Sequence, residues 1–438
     1  MRSVESSQKI VDIDLLNQID QTFRAIPEVD NILYPIQELS RLIESAGVPI
    51  DDMLGANDGL NILLIGLCEF TEICYFTLRV FLVLISTHSN SVFPFIAENV
   101  ERFIPLIRSP DLQKFVITIL MLTIDAIPDM TQYVVIERNL IVKISELANE
   151  IGAPKYIQIL LTLIIELLRR IDLSQIPPEL IVVIQDKLRP LILKKFSFSE
   201  EQNSLFTKEI IIPLLRLYDM YLFYWPEECD SFFTNDILNE VEYLVFHPFQ
   251  FDRNVYKEVL RVLNRMLLVM KDNFFDPKSI IEYLCDHRNE LKSVKLEILF
   301  LLSNFSFFPN FSEIFFELNT IPSLYIESSS YSLSEKENAF IIILNLLANF
   351  PKEVKEMFED KFKDYLDDAF DLLQAAKDST FTYFFIKTFR ELYDNDNAIV
   401  NIIDQEAAVE SLQSLLEKDE KPETIEAAQE MLSFVFGC

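Results

Sequence analysis

One polar side chain recurs at a corresponding place in each of eight apolar stretches of this chain: Ser86, Asp125, Glu166, Asp219, Asn264, Asn304, Asn349 and Glu391. The chemistry open to such a ladder is recognition rather than bond breaking. A carboxamide offers a donor and an acceptor together. A carboxylate accepts charge-assisted bonds from Lys or Arg that are stronger than neutral ones. Asn is a poor helix former, so three of them in one register ask for a reason. The plain alternative is that each stretch exposes a single stripe, which a polar residue merely solvates.

Other reactive side chains are dispersed. His88, His247 and His287 lie in different stretches, and none stands with Cys or carboxylate at metal-ligand spacing. Cys68 and Cys74 are six apart, off a common helical face, and read as buried thiols. No glycine-rich phosphate loop, G-x-S-x-G or H-E-x-x-H occurs. An enzyme, a cofactor and a resident metal are therefore not expected. The five cysteines, with Cys229, Cys285 and Cys438 completing the set, contain no C-x-x-C pair, and Met1-Arg-Ser-Val-Glu-Ser-Ser lacks the apolar core of a signal peptide. A reduced, cytoplasmic protein is the expectation.

Composition narrows the class further. Half of the residues are apolar and 37 are Phe, enough to build a large core. Only six Gly are present, which counts against nucleotide-binding turns and against an all-β design. With 69 acidic and 38 basic side chains the formal charge is −31. That charge repels nucleic acid and anionic membranes and favours basic partners; it would equally keep an apolar protein in solution. The most apolar runs, 75–87 and 157–168, are too short to span a bilayer and contain Arg79 and Glu166.

The elements that must position the ladder are helices. Phe115-Val-Ile-Thr-Ile-Leu-Met-Leu-Thr-Ile-Asp-Ala-Ile127 is apolar nearly all round and too long for a strand. A shorter amphipathic stretch, 100–107, precedes it, and Arg108-Ser-Pro-Asp111 reads as the turn between two helices. Similar hairpins start near Leu140, Leu188, Val241, Ile281, Ile321, Tyr365 and Val409, in steps of about 40 to 50 residues. Their longer helices fall at 156–169, 209–222, 256–270, 294–305, 338–350 and 381–392, with one more pair at 60–70 and 74–87. A single hairpin cannot bury its apolar face, whereas stacked hairpins share a continuous core and need polar ends. The chain is expected to divide into an amino-terminal helical cap at 1–55, a repeat array at 56–405 and a carboxyl-terminal cap at 406–438. Phe196 to Asn203, Trp225 to Asp230 and Ser328 to Glu335 read as loops, the last ending in a helix cap. The aromatic run Tyr218 to Trp225 reads as core, with a partner hot spot as the alternative.

The block Ile321-Pro-Ser-Leu324, Ser334-Glu-Lys-Glu-Asn338 and Leu344-Asn-Leu-Leu-Ala-Asn-Phe350 resembles the armadillo repeat, as do Leu301-Leu-Ser-Asn-Phe305, Ile104-Pro-Leu106 and Leu188-Arg-Pro-Leu191. The likeness is specific between about 255 and 350, while the repeat period alone carries the rest. It implies an all-α, right-handed superhelical solenoid of armadillo-like (ARM or HEAT) repeats. In that family, whose familiar members are importin alpha and the catenins, ladder Asn side chains face a concave groove and bind the backbone of an extended peptide. The resemblance thus makes Asp125, Glu166, Asp219, Asn264, Asn304, Asn349 and Glu391 a protein-binding groove for an extended, basic segment. A nuclear-transport receptor, present in the nucleus as well, and a structural subunit of a cytoskeletal or regulatory assembly are the alternatives. Two features depart from importin alpha. No basic segment occupies residues 1–30, and its Trp–Asn spacing of four residues is absent, the positions in question being Leu260, Phe300 and Asn345.

Overall fold

Prolines set much of the helical punctuation. Among the described residues eight helices begin on one: Pro110, Pro128, Pro154, Pro178, Pro277, Pro309, Pro351 and Pro422. The first turn of a helix has no use for the missing N–H, and the fixed φ suits it. Where glycine would ordinarily reverse the chain, Asn139 and Asn319 instead take a left-handed φ of 51°, a conformation that Asn tolerates better than most residues.

The computed structural model describes residues 13–46, 58–68, 70–87, 89–126, 128–150, 154–195, 204–226, 235–248, 252–270, 276–376, 379–395, 397–417 and 422–437. Every regular element among them is helical. The expected loop at 196–203, most of that at 225–230, and Cys229, Cys438 and His88 lie outside the described residues. No single described helix is long and apolar enough to cross a membrane, and the one pair that passes together is bent by 120°.

The chain forms two compact units, Met1–Met220 and Tyr221–Cys438. In the first, Leu33–Ala46 packs on Thr71–Thr87, and Thr71–Thr87 on Pro110–Ala126. Leu140–Glu150 packs both on Pro154–Arg170 of its own hairpin and on Pro178–Lys195 of the next. In the second, Arg253–Met270, Lys295–Ser306, Leu333–Asn349, Ser379–Asn395 and Pro422–Phe434 each pack on the following one. A second row, Asn235–Phe246, Pro277–His287 and Pro309–Glu317, packs in the same succession, and Phe362–Ala375 lies on Gln405–Leu416. The boundary between units falls inside helix Ser204–Tyr224. Helices 33–46 and 422–434 continue the long-helix rows of their units.

Sandwiching explains the apolar runs. Helix 333–349 packs between helices 295–306 and 379–395 and against 320–328, and all its residues from Glu337 to Leu347 are buried. Its start is fixed by Ser332 and Glu335, whose side chains cap each other's backbone N–H groups in a capping box. Beside it, Tyr365 is buried among Tyr325, Phe340, Phe358 and Phe362. Its hydroxyl has no hydrogen-bond partner, and burial pushes its pKa far up. Because a buried unsatisfied hydroxyl is a net cost, Tyr365→Phe should raise the unfolding free energy by about 1 kcal/mol. Urea unfolding with an unchanged slope reads this directly, and a destabilised variant would refute it.

A polar knot joins two repeats of the second unit. Arg288, buried, donates through Nε and Nη2 to Glu327 at 3.1 and 2.9 Å and through Nη2 to Ser323 Oγ at 3.0 Å. Its Nη1 donates to the Cys285 carbonyl. Tyr331 completes the knot, donating its hydroxyl proton to Glu327 at 2.8 Å.

Candidate protein-binding surface

Successive long helices differ by about forty residues, so a side chain finds its counterpart one repeat away. On Arg253–Met270 the outward stripe is Lys257, Arg261, Asn264 and Leu268; on Lys295–Ser306 it is Leu296, Phe300 and Asn304, continued by Phe307. The stripes run in register. Asn304 Nδ2 donates to Asn264 Oδ1, forty residues away, and Lys257 pairs with Glu297 at the same separation. Flanking the joined carboxamides are large apolar side chains left open: Phe300 is 50% exposed and Leu268 47%, with Leu296 and Phe307 also exposed.

Helix 253–270 carries four cations against one carboxylate, Glu258. Arg261 pairs with Glu258 at 3.0 Å. The Arg265 guanidinium lies over the Phe223 ring, 5.0 Å from its centroid, a cation–π arrangement. In a chain of formal charge −31 this stripe is a local reversal of sign.

The third carboxamide in this neighbourhood is Asn345. Its Nδ2 donates to Ser306 Oγ at 2.8 Å and to the Ser303 carbonyl at 3.4 Å, so it sits against the turn that carries Asn304. It is buried, and the rings of Phe307 and Phe384, from the two helices that flank it, meet at 4.8 Å. Asn349, four residues on, ends its helix exposed and donates to the Asn345 carbonyl at 2.9 Å. Asn264 and Asn304 are therefore brought together, while Asn349 bonds within its own helix.

The acidic rungs of the first unit have partners from the chain itself. Asp125 is bonded to Arg170, which also stands 3.8 Å from Glu166. Glu166 pairs with Arg169 at 2.9 Å. All are at least partly exposed, so these pairs contribute little to stability. Ser86 is exposed and donates to the Val83 carbonyl. Asp219 is half-buried on helix 204–224. In the second unit Glu391 is exposed and, with Lys387, Arg390 and Glu430, lines a small cleft of about 250 Å³. Arg170 was absent from the sequence-level site, although its place four residues after Glu166 puts both on one helical face. Within the aromatic run, Tyr218, Tyr221 and Trp225 are buried and Phe223 is exposed, so it supplies both core and surface. No group of three or more His, Cys, Asp or Glu suited to a metal occurs among the described residues.

No protein-family model matches the sequence, and no curated protein matches it. Solved structures do resemble the fold. SYS-1, a beta-catenin-like armadillo protein, superposes with a TM-score of 0.61 at 14% identity, covering 97% of this chain and 85% of its own. An engineered protein superposes with a TM-score of 0.59 at 16% identity, covering 96% and 99%. The fold is thus all-α and of the armadillo-like helical repeat type.

Proposed function

We propose that this chain is a non-enzymatic, cytoplasmic scaffold that holds an extended segment of another protein against its rows of long helices. The observation that carries the reading is the pair of stripes on helices 253–270 and 295–306. Exposed Leu268, Leu296 and Phe300 flank two carboxamides in register. Large apolar side chains beside fixed donors and acceptors are the makings of a binding hot spot, where a segment gains affinity from burial and orientation from hydrogen bonds. The armadillo-like fold supports a protein partner, and the charge of −31 argues against nucleic acid and anionic membranes.

The experiment is capture of partners from the native cells by the full chain and by a Phe300→Ala, Asn264→Ala, Asn304→Ala variant. Phe300 is exposed, and the two half-buried carboxamides are removed together so that neither is left without its partner, so melting should fall by only a few degrees. Truncating one hot-spot aromatic alone costs about 2 kcal/mol or more, so affinity for the captured protein should fall at least about thirty-fold. Equal binding by both proteins would exclude this surface.

A basic segment is favoured where the first unit presents Asp125 and Glu166. Arg170 already occupies both carboxylates, so it acts as an internal competitor for an incoming Lys or Arg. Replacing it by alanine should tighten binding of a basic segment about three- to ten-fold, and more salt should weaken that binding because exposed pairs are screened. Weaker binding by Arg170→Ala, or binding indifferent to salt, would mean that the segment is not held there through basic residues.

A further inference from the structure

Cys68 lies in the break between helices Gly59–Ile65 and Thr71–Thr87, and Cys74 in the first turn of the second. Gly66 ends the first helix with its backbone pressed on the second. A Cβ at that position would come within 2.1 Å of Thr77 Oγ1 and 2.8 Å of Ile36 Cδ1, so only glycine permits the approach. The same approach brings Cys68 beside the first turn of helix 71–87. There the Cys74 thiol donates to the Cys68 carbonyl at 2.9 Å. Cys74 is buried and Cys68 is half-buried. Both line one wall of an open cleft of about 1060 Å³ that also includes Asn61, Thr71 and Arg102.

We propose that Cys68 and Cys74 are a thiol-oxidation site, closing to a reversible disulfide when hydrogen peroxide enters the cleft. Cys68, the more accessible sulfur, attacks as the thiolate. The peroxide O–O bond breaks, the departing hydroxide takes a proton to become water, and Cys68 becomes a sulfenic acid. The Cys74 sulfur then attacks the Cys68 sulfur, the S–S bond forms, the S–O bond breaks, and a second water leaves with the Cys74 proton. Together the sulfurs lose two electrons and the peroxide gains two. Burial pushes the Cys74 thiol up to about 11, which leaves first attack to the more accessible Cys68. The product ties the segment after helix 59–65 to helix 71–87 along the cleft wall.

Cys285 is the internal control: it is buried, and burial pushes its thiol up to about 12. The test treats the full chain, carrying Cys229→Ser and Cys438→Ser, with hydrogen peroxide, blocks free thiols with N-ethylmaleimide, and maps peptides by mass. The expected result is a linked peptide pair containing Cys68 and Cys74, lighter by two hydrogens and released by dithiothreitol. Cys285 should oxidise at least about ten times more slowly. In a Cys74→Ser variant Cys68 should accumulate as a sulfenic acid that dimedone captures. In Cys68→Ser, at a more exposed position and so kinder to folding, Cys74 should stay reduced. Two free, alkylatable thiols after treatment, or Cys68 passing to sulfinic acid without cross-linking, would overturn the proposal.

Discussion

Arg288→Ala should lower the unfolding free energy of the second unit by about 2 to 4 kcal/mol, somewhat less than the cost of removing one partner from a fully buried ion pair because Glu327 is half-buried. Arg288 is 5% exposed and donates to Glu327, Ser323 and the Cys285 carbonyl. Alanine leaves the Cys285 carbonyl, the half-buried Ser323 hydroxyl and the half-buried, charged Glu327 without this donor. Arg288→Met combined with Glu327→Leu, which removes both charges while keeping bulk, should recover most of the loss. The pH dependence has a definite sign. Burial alone would raise the Glu327 pKa, but hydrogen bonds from Asn289 and Tyr331 and the charge of Arg288 outweigh it, leaving it below the ordinary 4.5. A carboxyl with a depressed folded pKa contributes its stability above the unfolded value, about 4.3, and loses it as pH falls through the folded value. The gap between native and variant protein should therefore be full at pH 7 and narrow below about pH 4. Urea unfolding at both pH values measures this. A loss under about 1 kcal/mol at pH 7 would make the knot equivalent to a surface pair.

Helix positions were legible in the sequence because each long helix is sandwiched. Phe115 to Ile127 is apolar on nearly every face, and the run Glu337 to Leu347 is buried throughout. Such composition survives any detail of packing. The start of helix 333–349 was legible for a different reason, since Ser332 and Glu335 cap it by local chemistry alone. Side-chain partners one repeat away were not legible. Arg170 reaches Asp125 across 45 residues and Arg288 reaches Glu327 across 39, and no local rule joins them. The two-unit division inside helix 204–224 was equally hidden, because the helical pattern runs through it unbroken. Cys68 and Cys74, six apart and off a common helical face, read only as separate buried thiols; the close approach at Gly66 brings them together.

The register of the ladder shows the same limit and yields the second large effect. Sequence alignment of apolar patterns pairs Asn304 with Asn349, yet hydrogen bonds place Asn345 against the Asn304 turn. Helix 333–349 is buried on the face where its neighbours expose theirs, so a carboxamide at 345 serves the core. Asn345→Ala removes a buried donor, leaves the Ser306 hydroxyl without that proton, and opens a void between two helices. A cost of about 2 to 3 kcal/mol is expected. Asn349→Ala, exposed at the end of the helix and bonded only to its own backbone, should change stability by no more than about 0.5 kcal/mol. Asn345→Leu separates the two contributions to the first loss, because it refills the void without restoring the hydrogen bonds. Its stability should fall between native and alanine. If Asn345→Ala proved neutral while Asn349→Ala unfolded the protein, the roles of the two carboxamides would be exchanged, and the exposed stripe would extend across helix 333–349 rather than stop at Phe307.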